Sequence, residues 1–153
     1  IKKSNTIEKN ITKFTNVEYK TFDDSGRDYI TKGKEAYLNK DQPDLVELKN
    51  VHSFTKLNDG STLSVKADKA NYYKKSKNIK YYQNVKILNK DGIITAKIAN
   101  FLSDKNLIRL EQNVIYKDNK NTIKGDIAEL NTMTNNLEIF MLKEKDRVYG
   151  KRK

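Results

Sequence analysis

Apolar residues in this chain recur at every second position. Ile79, Tyr81, Val85 and Ile87 share one parity, as do Ile108, Leu110, Val114 and Tyr116. A period of two rather than 3.6 predicts strands with one buried face. No segment of ten or more residues reads as a helix. After each such strand comes a polar turn: LNDG at 57 to 60, NKDG at 89 to 92 and DNKN at 118 to 121. Asn, Asp and Gly supply the left-handed or locally hydrogen-bonded backbone that a hairpin requires.

The strand after the turn slips phase. Val65 and Ala67 share one parity, Ala70 and Tyr72 the other; Ile94 and Ala96 against Ala99 and Phe101, and Ile123 and Gly125 against Ala128 and Leu130, repeat the slip. A one-residue slip turns side chains to the opposite face, so a bulge or bend is expected between the two halves of this second strand. Its small residues suit a corner where strands pass close together.

These features belong to an internal repeat. Gly33-x-x-Ala36 recurs as Ala67-x-x-Ala70, Ala96-x-x-Ala99 and Gly125-x-x-Ala128, at offsets of 34, 29 and 29 residues. Asn50-Val51, Asn84-Val85 and Asn113-Val114 keep the same spacing, and Ile79, Ile108 and Leu137 lie 29 apart. An earlier unit starts near Phe14, with an Asp-Asp-Ser-Gly turn at 23 to 26. NKDQPD at 39 to 44, with the only proline, Pro43, reads as a longer link that accounts for the 34-residue offset. The last unit is short: Leu137, Ile139 and Met141 alternate, EKD turns at 144 to 146, and VYG leads into a basic end. The expectation is one all-β domain at 13–153, an antiparallel, twisted open β-jellyroll of repeated strand-turn-strand units, preceded by a flexible segment at 1–12. Stacked units bury a shared face only against one another, which leaves an open edge at each end.

Charge changes this picture little. The 153-residue chain has 31 Lys and Arg against 20 Asp and Glu, a formal net charge of +11. Such an excess attracts phosphates, anionic headgroups or acidic sugars without choosing among them. The stretch KANYYKKSKNIKYYQNV, 69 to 85, has the basic and aromatic character of a nucleic-acid groove. The repeat places Tyr72 and Tyr81 at positions that elsewhere hold Phe101, Leu130, Leu110 and Ile139, so both read as core, while Tyr73 and Tyr82 point outward. The equivalent links SDKN and TMTNN are not basic. No nucleic-acid partner is expected.

Candidate chemistry is sparse. With no Cys, and His52 as the only imidazole, there is no thiolate or multi-histidine metal site, and no metal or other cofactor is expected. Gly33-Lys34 is followed by Glu35 and lacks the nucleotide-loop spacing. Asp23-Asp24 sit in a turn, and no G-x-S-x-G is present. Paired carboxylates distant in the chain stay open as a glycosidase arrangement, but no motif supports an enzyme. No run approaches the roughly 20 apolar residues of a membrane span.

SVKADKA at 64 to 70, leading into NVKILNKDG, together with TFDDSGRDYITKGKEAYL at 21 to 38, resembles the lipopolysaccharide export family LptC over roughly residues 14 to 120. NTIKGDIAELNTMTNNLEIF at 121 to 140 is similar to the soluble bridge LptA and its relatives, which share the fold, so an LptA-like bridge stays open as an alternative. The resemblance implies a jellyroll cleft for lipopolysaccharide acyl chains and no enzymatic activity. It also implies a periplasmic location with an inner-membrane anchor helix outside this chain.

It further implies end-to-end stacking. The N-terminal edge, where Phe14, Val17, Tyr19 and Phe22 lie, would meet the inner-membrane ABC transporter that exports lipopolysaccharide. The C-terminal edge, with Leu137, Ile139, Met141 and Val148, would meet the bridge protein LptA. Within the repeat, Val65, Ala67, Tyr81, Val85, Ile94, Ala96, Phe101, Leu110 and Val114 share the phase expected of the cleft lining. They could equally pack against one another, since alternating apolar residues line both filled sandwiches and ligand cavities.

Overall fold

The structure, a computed structural model, describes residues 2–8, 10–22, 26–142 and 148–151, with side chains described for 10–22 and 26–142. Eleven strands form one antiparallel sheet in simple sequence order. They are β1 (Lys2–Glu8), β2 (Ile11–Phe22), β3 (Asp28–Asn39), β4 (Gln42–Lys56), β5 (Thr62–Tyr73), β6 (Ile79–Leu88), β7 (Ile93–Leu102), β8 (Leu107–Lys117), β9 (Thr122–Asn131), β10 (Leu137–Phe140) and β11 (Val148–Lys151). The first and last strands do not pair with each other, so the sheet is open, with β1 and β11 at its edges. Among the described residues the sole helix is the single 3-10 turn Ser103–Lys105, and none is long and apolar enough to cross a membrane. Most of the turn expected at 23 to 26, and all of that at 144 to 146, lie outside the described residues.

The parity slip is present, but its backbone cause lies in the partner strand. Buried positions change parity between Ala67 and Ala70 and between Ala96 and Ala99. The residues with positive φ that stand opposite are Asn16, Asn50, Gln83 with Asn84, and Gln112 with Asn113, the four asparagines at φ 52, 54, 56 and 59. Each of these asparagines precedes a buried valine: Val17, Val51, Val85 or Val114. Asn accepts the left-handed region more readily than other side-chain-bearing residues do. The repeated Asn-Val is thus the sequence signal of the bend, and Asn16-Val17 is its first copy. In β6 and β8 two consecutive left-handed residues add a bulge, seen as register shifts on both sides of each strand.

The bend runs across the sheet as an outward crest of exposed polar residues that includes Asn16, Lys34, Asn50, Asp68, Asn84, Lys97 and Asn113. Asn84 Nδ2 donates to Asp68 Oδ2 along it at 2.6 Å. The crest divides the sheet into two halves, whose inner faces meet. Tyr19 of one half lies 5.0 Å, ring to ring, from Tyr72 of the other, and Tyr29 lies 4.7 Å from Phe101.

Large and small residues alternate from strand to strand beside the bend. One inner row of registered neighbours runs Phe14, Ala36, Leu48, Ala70, Tyr81, Ala99, Leu110, Ala128, Ile139. The large members come from even-numbered strands and the small ones from odd. Alternation leaves depth for the facing half at native packing density. At Gly125 a neighbouring strand comes too close for any side chain, since a Cβ there would lie 2.4 Å from Ile139 Cγ2.

The expected long link at 39 to 44 is instead a two-residue turn. Gln42 already pairs with Asn39, Leu38 pairs with Val46, and the register shift between them places Pro43 in a bulge at the start of β4. A missing N–H is tolerated there because no ladder bond is lost.

Candidate functional site

All nine residues expected to line a cleft are buried on the inner faces. Val65, Ala67, Val85, Ile94, Ala96 and Val114 belong to the half that carries the 57–60 and 89–92 turns; Tyr81, Phe101 and Leu110 belong to the other. The two groups form one apolar cluster with Leu48, Tyr72, Ile79, Ile87 and Tyr116. The space left between the halves is small. A cavity of about 20 Å³, lined by Tyr29, Thr31, Ser53, Val65, Tyr81 and Phe101 among others, has room for roughly one water molecule. The inner surface is thus continuous and mostly apolar, and its two sides are in contact.

Sequence periodicity passes over the polar members of this interior. Tyr81 donates to Ser53 Oγ at 2.6 Å across the two halves, and Ser53 Oγ lies 2.8 Å from Thr31 Oγ1. Full burial pushes the Tyr81 hydroxyl well above its ordinary value, so it stays protonated. Thr31 and Ser53 do keep the inward parity of their strands, which is the signal that could have found them. Thr132 and Asn135, also buried, lie in the turn between β9 and β10, where no periodicity points inward.

The outer face is polar and largely basic. Registered neighbours Lys32, His52, Lys66 and Lys86 form a row across β3 to β6. Burial, and then the Lys66 and Lys32 charges, hold the His52 imidazole below its usual value. Tyr73 and Tyr82 are half-buried on this face, whereas Tyr72 and Tyr81 are core.

The expected edge residues fall into different places. On β2, Val17 is buried, Phe14 and Tyr19 pack partly against the core, and Phe22 is 53% exposed. β1 pairs with β2 only over Ile11 to Thr15, which leaves Val17, Tyr19 and Phe22 beyond its registered pairs. On β10, Leu137 and Ile139 are buried and face inward between β9 and β11. Met141 is half-buried just past the strand, and Val148 pairs with Phe140 through its backbone. Among the described residues no cluster of His, Cys, Asp or Glu is placed to hold a metal ion.

Comparison with known proteins adds the family. None of the curated proteins compared matches the chain. The LptC family model, described as lipopolysaccharide-assembly, LptC-related, matches residues 8–141, a span that includes the bridge-like stretch at 121 to 140. A match over most of the chain, on an open all-β sheet folded about its own apolar face, makes the protein a member of the LptC-related lipopolysaccharide-assembly family.

Proposed function

We propose that this member of a lipopolysaccharide transport family takes the lipid's acyl chains between the two halves of its folded sheet and passes them along the periplasm. The donor is the inner-membrane ABC transporter and the acceptor a bridge protein of LptA type. The carrying observation is the predominantly apolar inner surface of a sheet whose edges are not joined to each other. Each acyl methylene moved out of water gains about 0.8 kcal/mol. Partial burial of a chain therefore holds the lipid while leaving it able to move on. The halves must part to admit it, because the present cavity is about the size of one water.

Unpaired strand edges accept further strands by backbone hydrogen bonding. This supports docking of the transporter's periplasmic domain at the N-terminal edge, with Phe22 as the exposed apolar contact, and of the bridge at the C-terminal edge. ATP hydrolysis by the transporter drives the lipid flow.

A compact diazirine amino acid at Phe101, on the inner face, tests the reading against the same label at Lys86, exposed on the outer face. Irradiation with purified lipopolysaccharide should crosslink the Phe101 variant alone. Crosslinking at neither position, with the fold intact by circular dichroism, would overturn lipid capture between the halves.

A further inference from the structure

Opposite the crest, the two halves end in two lips. One lip holds the start of β3 and the turns at 57–61 and 89–92; the other holds the β9–β10 turn at 132–136. Among the described residues no backbone-to-backbone hydrogen bond crosses from lip to lip. Side chains make the crossing. Arg27 Nη1 donates to the Thr132 carbonyl at 2.6 Å, Arg27 Nη2 donates to Tyr29 Oη at 2.7 Å, and Tyr29 Oη lies 2.9 Å from Thr132 Oγ1. On the same mouth, Asn89 Nδ2 donates to Asn135 Oδ1 at 2.8 Å, and Asn135 Nδ2 donates to Asp91 Oδ2 at 2.9 Å.

We propose that these two groups of hydrogen bonds are a releasable clasp, and that acyl chains enter where they part, between the β9–β10 turn and the facing lip. The proposal rests on the reading of the interior as a lipid site.

Three features support it. At the centre of the clasp Thr132 and Asn135 are buried, at 0% and 6% exposure, while Arg27, Asn89 and Asp91 are half-buried at its rim, and every group that bonds across it is polar. Water can replace each bond when the lips separate, so parting costs far less there than exposing an apolar seam of the same size. Tyr29 belongs to both clasp and cavity: its hydroxyl holds Thr132 while its ring lines the cavity and packs on Phe101. Opening the clasp therefore moves a wall of the site. Finally, a surface groove already marks the seam, bounded by Leu57, Asn58 and Asp59 on one lip and Met133 and Thr134 on the other.

The native chain has no cysteine, so paired cysteines read and control the mouth cleanly. In Asn58→Cys with Met133→Cys, spin labels report lip separation, and a reducible bis-methanethiosulfonate linker ties the lips together. Thr132→Val, in the same background, should shift the label distances outward and speed lipopolysaccharide capture about fivefold, the effect of losing one such bond. Thr132→Ser should restore both. The linked protein should capture no lipid until reductant releases it. Capture at the unlinked rate by the linked protein, or unchanged label distances in Thr132→Val, would overturn the clasp. If the unlinked parent itself captured no lipid, the interior would not be a lipid site. The label distances would then decide whether these bonds hold the lips.

Discussion

Replacing Asn50 isolates what bends the sheet. Its side chain is exposed and its φ is 54°, while Lys49 pairs with Lys69 and Val51 with Ala67 on either side. Substitution there removes no core packing, so the change in stability is almost wholly conformational. The left-handed region costs an ordinary L-residue about 1–2 kcal/mol, and a β-branched residue sits at the upper end. Asn50→Val should thus lose about 2 kcal/mol. In a chain of this size each kcal/mol moves Tm by about 2–4 °C, giving a fall of roughly 4–8 °C. The alternative for the valine variant, an extended backbone at this position, would turn Val51, Ser53 and Thr55 outward, which is costlier still. Asn50→Gly adopts the bend freely and should stay within about 1 kcal/mol of the parent. Urea and thermal unfolding of the three proteins measure this directly. Equal stability of the Val and Gly variants would refute the argument that left-handed asparagines set the crest.

Gly125→Ala places a methyl group 2.4 Å from Ile139 Cγ2 and should cost about 1–3 kcal/mol in urea unfolding by overpacking. In an Ile139→Ala background, which lacks the Cγ2 methyl, Gly125→Ala should cost less than it does in the parent, a coupling that a double-mutant cycle measures. Alkaline pH tests the buried Tyr81 hydroxyl. Its pKa is raised above the ordinary value of 10.0, so above about pH 10 the unfolded chain releases a proton that the folded chain keeps. Stability is therefore full below that pH and falls as pH rises, by at most about 1.4 kcal/mol per unit. Tyr81→Phe should flatten the decline measured by unfolding from about pH 9 to 11.5. Part of it should remain, because Tyr19, Tyr72 and Tyr82 are also shifted upward by burial.

Much of the fold was legible from two kinds of residue. Alternation at Ile79, Tyr81, Val85 and Ile87 identified the strands and their inner face, because a pleated strand with one buried side can hide its apolar residues only at every second position. The small pairs Gly33 with Ala36, Ala67 with Ala70, Ala96 with Ala99 and Gly125 with Ala128 marked the bend, because few residues accept a close facing strand, whereas the repeated Asn-Val marked only the spacing of the units until the structure showed its left-handed backbone. The strand that carries the irregularity was not legible: a parity change in one strand is compatible with a bulge in either member of the pair. The long link around Pro43 was misread for a similar reason, since extra residues can lengthen a loop or be absorbed as a bulge at a strand's start.

By itself, then, the sequence determined an all-β sheet of repeated units, its inward apolar stripe and the places where it turns and bends. Each of these follows from local backbone preference and periodicity. Tertiary structure alone decided how far the two halves close, that Leu137 and Ile139 face inward while Phe22 stays exposed, and that Arg27 and Tyr29 reach Thr132 more than a hundred residues away. Those outcomes depend on which surfaces meet once the sheet folds over. No local preference encodes the partner of a side chain that lies across the fold.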